Sequence, residues 1–274
     1  MERITSYQFL LDAISYAKSF DNKCISNYYI NPNKSRELIE ANELFYTKIG
    51  NVVFVFRQNR GFVNSYYYAP SYFDLKLSLV HLHKLHSKDT LIIDIVTKEA
   101  TSDLLKIYES SGFYRYSSLV RMSRVSDDEI PLNTTNSPNL KVANTDESIE
   151  VYDQLYKYFD PLAEQLPDKS DIINLSKNEN ILIYKMDNKV VGFIIYQLNG
   201  LTLYLRYWFV AEEFRDRKIG STLFNYFLSK GRGAKRHLLW VIQTNKKALL
   251  RYKHYGFKEE KMFNYVLINI KNEK

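Results

Sequence analysis

The segment Val210-Ala211-Glu212-Glu213-Phe214-Arg215-Asp216-Arg217-Lys218-Ile219-Gly220 joins two kinds of chain. Upstream, Leu201–Val210 is apolar and aromatic throughout, apart from Thr202 and Arg206, and predicts a buried strand. Downstream, Ile219, Leu223, Phe224, Phe227 and Leu228 form one apolar stripe at helical spacing, which predicts a helix over Gly220–Lys230. A strand thus ends, a charged loop follows and a helix begins at once. The first N–H groups of a helix have no internal acceptor, and the helix dipole adds partial positive charge there. A pyrophosphate set at such an end is held by the backbone itself. Arg215, Arg217 and Lys218 add formal charge, and Gly220 removes a side chain where a phosphate must come close. Lys218 is expected in ordinary helical angles.

Around this segment a pattern of elements emerges. Ile181–Met186 and Val190–Gln197 read as a hairpin about Asp187-Asn188, and Asn199-Gly200 turns into the strand that ends at Val210. Leu238–Ile242 is a further buried strand. Lys246–Tyr255 is a helix closed by Gly256, and a last strand lies near Phe263–Ile268. The first half shows the same order: Phe45–Ile49, Val52–Phe56 and Phe62–Ala69 as strands, a helix carrying Leu75, Leu79 and Leu82, the strand Leu91–Val96, the helix Asp103–Ser111 and the strand Tyr116–Met122. Leu105–Phe113 lines up with Leu249–Phe257, both ending in Gly-Phe. The shared order predicts an internal duplication. Val125–Pro138, with Pro131 and Pro138, reads as a linker between residues 1–124 and 139–274.

The strand–loop–helix at Val210–Gly220 resembles the acyl-CoA-binding segment of the GNAT superfamily of N-acetyltransferases. Its pattern is Arg/Gln-x-x-Gly-x-Gly/Ala. Arg215 and Gly220 match its ends, while Lys218 stands where the first glycine is usual. Asn245-Lys246-Lys247-Ala248-Leu249-Leu250-Arg251-Tyr252-Lys253-His254-Tyr255-Gly256-Phe257 is similar to the family's Asn-x-x-Ala-x-x-x-Tyr-x-x-x-Gly-Phe, and it follows after the expected helix and strand. The resemblance covers about residues 139–270 with both motifs and 45–122 in outline. It implies an α+β fold of two GNAT-like domains, each a mixed, mostly antiparallel sheet flanked by helices, the first degenerate and the second catalytic.

It further implies acyl transfer, acetyl above all, from acetyl-CoA to a primary amine by direct attack. The cofactor-binding residues are then expected to be Phe209, Val210, Arg215, Asp216, Arg217, Lys218, Ile219, Gly220, Ser221, Asn245, Ala248 and Tyr252. The family role carried to Tyr252 is general acid to the departing thiolate, a step a nearby phenol can serve; the alternative is a packing aromatic. Asn245 either caps its helix or bonds the pantetheine arm. Arg206 and Tyr207 are candidate acceptor-binding residues, with a strand-edge salt bridge as the other reading of Arg206. No carboxylate lies on Leu201–Val210 to act as general base; Glu212 and Glu213 just beyond read as solvent-facing, and an ordered water is the other candidate. In the first half the matching loop, Tyr68–Asp74, has no arginine or glycine and an acid at the helix start, so it is expected not to bind acyl-CoA.

Composition bounds the alternatives. The chain has 274 residues, with 45% hydrophobic and 25% charged, enough for a packed core. Its single cysteine, Cys24, excludes an internal disulfide framework. No long apolar run opens a signal peptide or crosses a bilayer, so a cytoplasmic protein without membrane contact is expected, as monomer or homodimer. The net charge is +7, but residues 206–258 hold 13 Lys+Arg against 3 Asp+Glu. This excess sits around the phosphate loop and favours a cofactor over a nucleic acid. The basic run Lys230–Arg236 reads as a solvated loop or a contact to the CoA 3′-phosphate. His81, His83 and His86 lack further ligands nearby in sequence, and no metal is expected. Two other functions fit parts of the pattern: an aminoacyl-tRNA-dependent peptide-forming transferase, against which the phosphate loop argues, and a non-catalytic CoA-binding module.

Overall fold

The computed structural model describes residues 1–98, 102–126, 137–231 and 233–269. The chain divides into two compact units.

The first unit is built from Met1–Leu119 and the stretch of chain from Lys261 onward. Its elements are β1 (Glu2–Arg3), α1 (Tyr7–Lys18), β2 (Ile25–Ser26), α2 (Pro32–Glu40), β3 (Leu44–Ile49), β4 (Val52–Gln58), β5 (Val63–Ala69), α3 (Tyr72–Leu85), β6 (Leu91–Thr97), α4 (Ser102–Glu109) and the start of β7 (Phe113–Val125). β1, β3, β4 and β5 are antiparallel neighbours, and β5 meets β6 in parallel only at Val63↔Leu91 and Asn64↔Ile92. Beyond those pairs the two strands part. Leu75, Leu79 and Leu82, the stripe read from sequence, are fully buried beneath the sheet with Phe54, Phe56 and Ile93.

The second unit is Val120–Glu260. It holds the end of β7, then β8 (Leu140–Val142), α5 (Thr145–Tyr158), α6 (Lys169–Lys177), β9 (Ile181–Met186), β10 (Lys189–Asn199), β11 (Thr202–Val210), α7 (Ile219–Lys230), β12 (Arg236–Ile242), α8 (Lys246–His254) and the start of β13 (Lys258–Asn269). Sheet order here is β8-β9-β10-β11-β12, antiparallel until the parallel β11–β12 pair. The five stripe residues of α7, Ile219, Leu223, Phe224, Phe227 and Leu228, are all buried.

Both units run in one order, with β1 answering to β8, α1 to α5, and so on to β7 and β13; among the described residues β2 and the short 3-10 turn Glu212–Phe214 have no counterpart. The fold is mixed α and β with a mostly antiparallel sheet in each unit. The helix pairs α1–α2 and α5–α6 were not read from the sequence. α1 buries Leu10, Ala13, Ile14 and Ala17 at helical spacing, a signal that was present to be read; in α2, α5 and α6 fewer apolar positions are buried, and the caps Asn31, Asn144 and Asp168 mark the starts. The spacing that placed residues 139–274 in one domain differs from the packing at its end. From Lys261 the last strand pairs with β6 of the first unit, Phe263↔Thr97 to Ile268↔Ile92. Of the linker read over 125–138, Val125 closes β7, and residues 127–136, with Pro131, lie outside the described residues, as does Arg232 of the basic run.

Candidate active site

β11 and β12 are paired from Thr202↔Arg236 to Leu205↔Leu239, and the pairing stops there although both strands continue. The parting follows a bulge. On the other edge of β11 the register shifts between Ile195↔Tyr207 and Tyr196↔Leu205, which leaves Arg206 without an opposite residue. An extra residue bends its strand and increases the local twist, so β11 turns away from β12. The edge of β11 from Arg206 to Val210 then faces open space with main-chain groups that β12 does not pair.

A cavity of about 690 Å³ lies there, between the end of β11, the start of α7 and α8. Of the residues expected to bind the cofactor, Phe209, Val210, Arg215, Asp216, Lys218, Ile219, Gly220, Ser221, Asn245, Ala248 and Tyr252 line it. Arg217 does not; its guanidinium sits over the Phe214 ring, 5.2 Å from the centroid. Trp208, Phe214, Lys247, Arg251, His254 and Tyr255 also line it and were not singled out. Trp208, Lys247 and Arg251 were legible in principle, since each lies inside a quoted motif or strand.

α7 enters this cavity with a bare N-terminus. Lys218 is its N-cap and makes no side-chain capping bond. By contrast α1, α2, α3, α5, α6 and α8 each carry a side-chain cap. The Ser221 and Thr222 hydroxyls both donate to the Lys218 carbonyl, at 2.8 and 3.0 Å, which leaves the leading N–H groups facing the cavity. Lys218 departs from expectation: it lies at φ 60°, in the left-handed region, and Asp216 is similar at φ 66°. The loop must reverse sharply to start α7, and a left-handed residue does that. A glycine would adopt this angle freely, whereas a lysine adopts it at a cost of about 1 kcal/mol. Arg215 is tied within the loop, its NH1 3.3 Å from Glu212 Oε1.

Gly220 has a reason the sequence did not show. A Cβ there would stand 3.3 Å from the Trp208 indole and 3.6 Å from Val210 Cγ2, so helix and strand approach closely. Trp208 packs on Phe224 at 4.8 Å and is covered by the Arg251 guanidinium at 5.4 Å. Its indole N–H is buried and finds no partner among the described residues.

Tyr252 is fixed by the end of α8. Phe257 N–H donates to the Tyr252 carbonyl and Gly256 N–H to that of Lys253, with Gly256 at φ 80°. This double bond pattern with a left-handed glycine is a Schellman motif, and the Tyr252 and Phe257 rings, 6.0 Å apart, supply its apolar contact. Burial, and then the Glu164 charge, push the Tyr252 phenol above its ordinary range, with Arg251 acting the other way. The phenol therefore stays protonated across neutral pH. Asn245 caps α8, its Oδ1 accepting from Ala248 N–H at 3.1 Å. Tyr207 is buried, and its hydroxyl lies 2.9 Å from the carbonyls of both Glu164 and Gln165, so it anchors the α5–α6 connection.

The first unit treats its own parting strands differently. β2 pairs with β5 there, Ile25↔Ala69 and Ser26↔Tyr68. The Asn27 amide then donates to the carbonyls of Ser65 on β5 and Asp94 on β6, and accepts from Tyr67 N–H. Tyr108, which aligns with Tyr252, is fully buried and its hydroxyl is 2.7 Å from that of Tyr67. Ser71 caps α3, and Asp74 accepts from Ser71 and Asn51. Among the described residues no His/Cys/Asp/Glu group could hold a metal ion, and no helix is long and apolar enough to cross a membrane.

An uncapped helix N-terminus that opens into a cavity presents main-chain N–H groups and partial positive charge to whatever occupies it. Residues 148–257 match the model of the acetyltransferase (GNAT) family. No curated protein matches the chain. Among solved structures, a GCN5-related N-acetyltransferase from Sphaerobacter thermophilus is similar at a TM-score of 0.57 and 14% identity, over 95% of this chain and 91% of that one. A GNAT-family acetyltransferase from Colwellia psychrerythraea is similar at 0.52 and 12%, over 98% of each. A tandem GNAT protein from the clavulanic acid biosynthesis pathway is similar at 0.52 and 10%, over 81% of this chain and 80% of that one. At these identities the likeness speaks for the fold.

Proposed function

We propose that the second unit binds acetyl-CoA in the cavity between the end of β11, the start of α7 and α8, and transfers its acetyl group to a primary amine by direct attack. The observation that carries this reading is the bare N-terminus of α7 opening into a cavity flanked by Lys218, Lys247 and Arg251. A pyrophosphate there meets main-chain donors and formal cations together.

Bound acetyl-CoA supplies an acyl carbon activated by its thioester. The residues around it supply position and charge. The unpaired edge of β11 beyond Leu205 presents main-chain groups, and an N–H of that edge polarises the acyl carbonyl. Tyr252, protonated at neutral pH and held by the α8 terminus, donates a hydrogen bond and then a proton to the leaving sulfur. The first unit has its matching cleft filled by Ser26 and Asn27 and takes no acyl-CoA.

Calorimetric titration of acetyl-CoA, followed by free-thiol release over a panel of amines, tests this reading. Binding with turnover of at least one amine is expected. Absence of binding sinks it. Binding without turnover on any amine leaves a CoA-binding module in place of a transferase.

A further inference from the structure

Arg206 does not line the cavity; its NH1 donates to Gln197 Oε1 at 3.2 Å, and its guanidinium lies 5.6 Å from the ring centroids of both Tyr204 and Tyr207. Beyond the α7 loop, the cations that meet the cavity sit on α8, and α8 carries more of them than the cavity uses. Its nine residues, Lys246–His254, include four formal cations and a histidine but no carboxylate. Lys247, Arg251 and His254 line the cavity; Lys246 and Lys253 do not. All five are exposed. Lys253 is paired, its Nζ 2.6 Å from Glu259 Oε1. Lys246 and Lys247 make no ion pair among the described residues, and they occupy the first turn of α8, where the helix dipole disfavours cations. Lys247 and Arg251 stand at i, i+4, where like charges repel. α8 thus holds its charge against its own stability. A pyrophosphate in the cavity answers Lys247 and Arg251, but not Lys246.

Among these cations stands Leu250, 68% exposed. It lies four residues after Lys246, three after Lys247, three before Lys253 and four before His254, the spacings that make neighbours on a helix surface. Single exposed leucines are common; the ring of cations sets this one apart. The matching helix of the first unit, where the cleft is filled, shows the contrast. Extending the alignment of Leu105–Phe113 with Leu249–Phe257 sets Asp103 against Lys247, Lys106 against Leu250 and Glu109 against Lys253. There Lys106 pairs with Asp103 at 3.1 Å. α8 has a lysine at each of these acidic positions of α4, and the exposed leucine where α4 has its lysine. An apolar spot ringed by cations complements an acidic protein surface with an apolar residue at its centre. A nucleic-acid backbone would match the cations and leave Leu250 uncovered. The ring is continuous with the cavity, because Lys247 and His254 belong to both.

We infer that α8 docks a small acidic protein bearing its acyl group on a phosphopantetheine arm, and that this carrier is a second donor for the transfer. The arm is the pantetheine part of CoA with one phosphate, so it enters the same cavity while the carrier covers Leu250 and the cations around it. The transfer step rests on the acyl-transfer reading; the docking rests on α8. In that step the acceptor nitrogen attacks the carrier's thioester carbonyl, the C–N bond forms and the C–S bond breaks. Of the two protons the ammonium loses, one ends on the arm's sulfur and one in solvent. The balance is one amide, one carrier thiol and one released proton.

The probe is an acyl carrier protein of fatty-acid synthesis, prepared with an acetylated phosphopantetheine arm and also without an arm, and titrated by calorimetry against the full chain. The acetylated carrier is expected to bind, at least tenfold more weakly at about 300 mM than at about 50 mM salt, and to yield amide with the amines that take acetyl from acetyl-CoA. The armless carrier is expected to bind less tightly through the same face. Lys246→Glu and Leu250→Asp should each weaken carrier binding roughly tenfold and leave acetyl-CoA affinity as it was. Should either lower the melting temperature enough to unfold the chain, Lys246→Gln and Leu250→Ala are expected to act in the same direction by a smaller factor. A carrier that does not bind, or binding that both variants leave intact, overturns the inference. So does a mixed-sequence RNA that binds in the carrier's place and is weakened by Lys246→Glu but indifferent to Leu250→Asp. A carrier that docks through Lys246 and Leu250 while neither it nor acetyl-CoA yields any amide would instead sink the transferase reading and leave the docking face standing.

Discussion

Lys218 combines two properties that pull against each other. Its left-handed backbone is destabilising, while its ammonium adds charge at the mouth of α7. Lys218→Gly is accordingly expected to raise stability by roughly 0.5–1 kcal/mol in thermal or denaturant unfolding, and to weaken acetyl-CoA binding several-fold. Unchanged affinity in that variant would remove Lys218 from the phosphate site. Tyr252 is tested by a different split. Tyr252→Phe keeps the Schellman contact with Phe257 and loses only the hydroxyl, so acetyl-CoA affinity should hold while kcat falls roughly 100-fold. A fully active variant would return Tyr252 to a packing role. At this scale the sequence read identities well and conformations poorly. It marked Lys218 as the departure from the family pattern, but placed it in ordinary helical angles, because a single residue name does not specify the sign of φ. Glu164 left no signal at all. It follows no motif, and only the Tyr207 hydroxyl, distant in sequence, shows where its turn is pinned.

Among the elements, α7 and its two flanking strands decide the site. Gly220→Ala puts a methyl 3.3 Å from the Trp208 indole and should be tolerated with a small loss of stability, whereas Gly220→Leu should force helix and strand apart and abolish acetyl-CoA binding. Undiminished binding by the leucine variant would contradict the close approach. β12 carries His237, which is 2% exposed and has neither ring nitrogen bonded among the described residues. Burial, and then the Arg124 charge, lower its pKa to about 4. Because the folded state resists protonation, the unfolded chain takes up a proton first as pH falls through about 6.5. Stability should thus be level above that point and decline down to about pH 4, by an amount on the order of 3 kcal/mol. His237→Phe should flatten that slope in urea unfolding at a series of pH values; an unaltered slope would clear His237 of the effect. Strands and the α7 stripe were legible because period 2 and period 3.6 are strong over these lengths. The bulge at Arg206 was not, since nothing local distinguishes an extra residue from an in-register one.

Over the whole molecule, two units of one order have come to differ at one place. In the first, Asn27 joins the parting strands and Tyr108 is locked to Tyr67; in the second, the strands stay apart and Tyr252 faces a cavity. Titration should accordingly find one acetyl-CoA per chain. Asn27→Ala should destabilise by about 2 kcal/mol, through the main-chain groups it leaves unpaired, without adding a second binding event. Two equivalent sites in the parent chain would refute the filled cleft. The shared order of elements was legible in both halves, but β2 was not, as Ile25–Ser26 is too short to carry a period.

The placement of β13 has a consequence for how the protein is made. The strand from Lys261 to Asn269 completes the sheet of the first unit beside β6, with Asn264 bonded to the buried Asp94 and Asn269 to Leu91 N–H. During synthesis Met1–Leu119 emerges before any of this strand exists. Until all of the second unit has been translated, the first unit presents an open flank along β6 and a buried-to-be carboxylate without its amide partner. Its final closure is therefore a late, long-range event, and the N-terminal half expressed alone starts life with an edge that invites pairing with another chain.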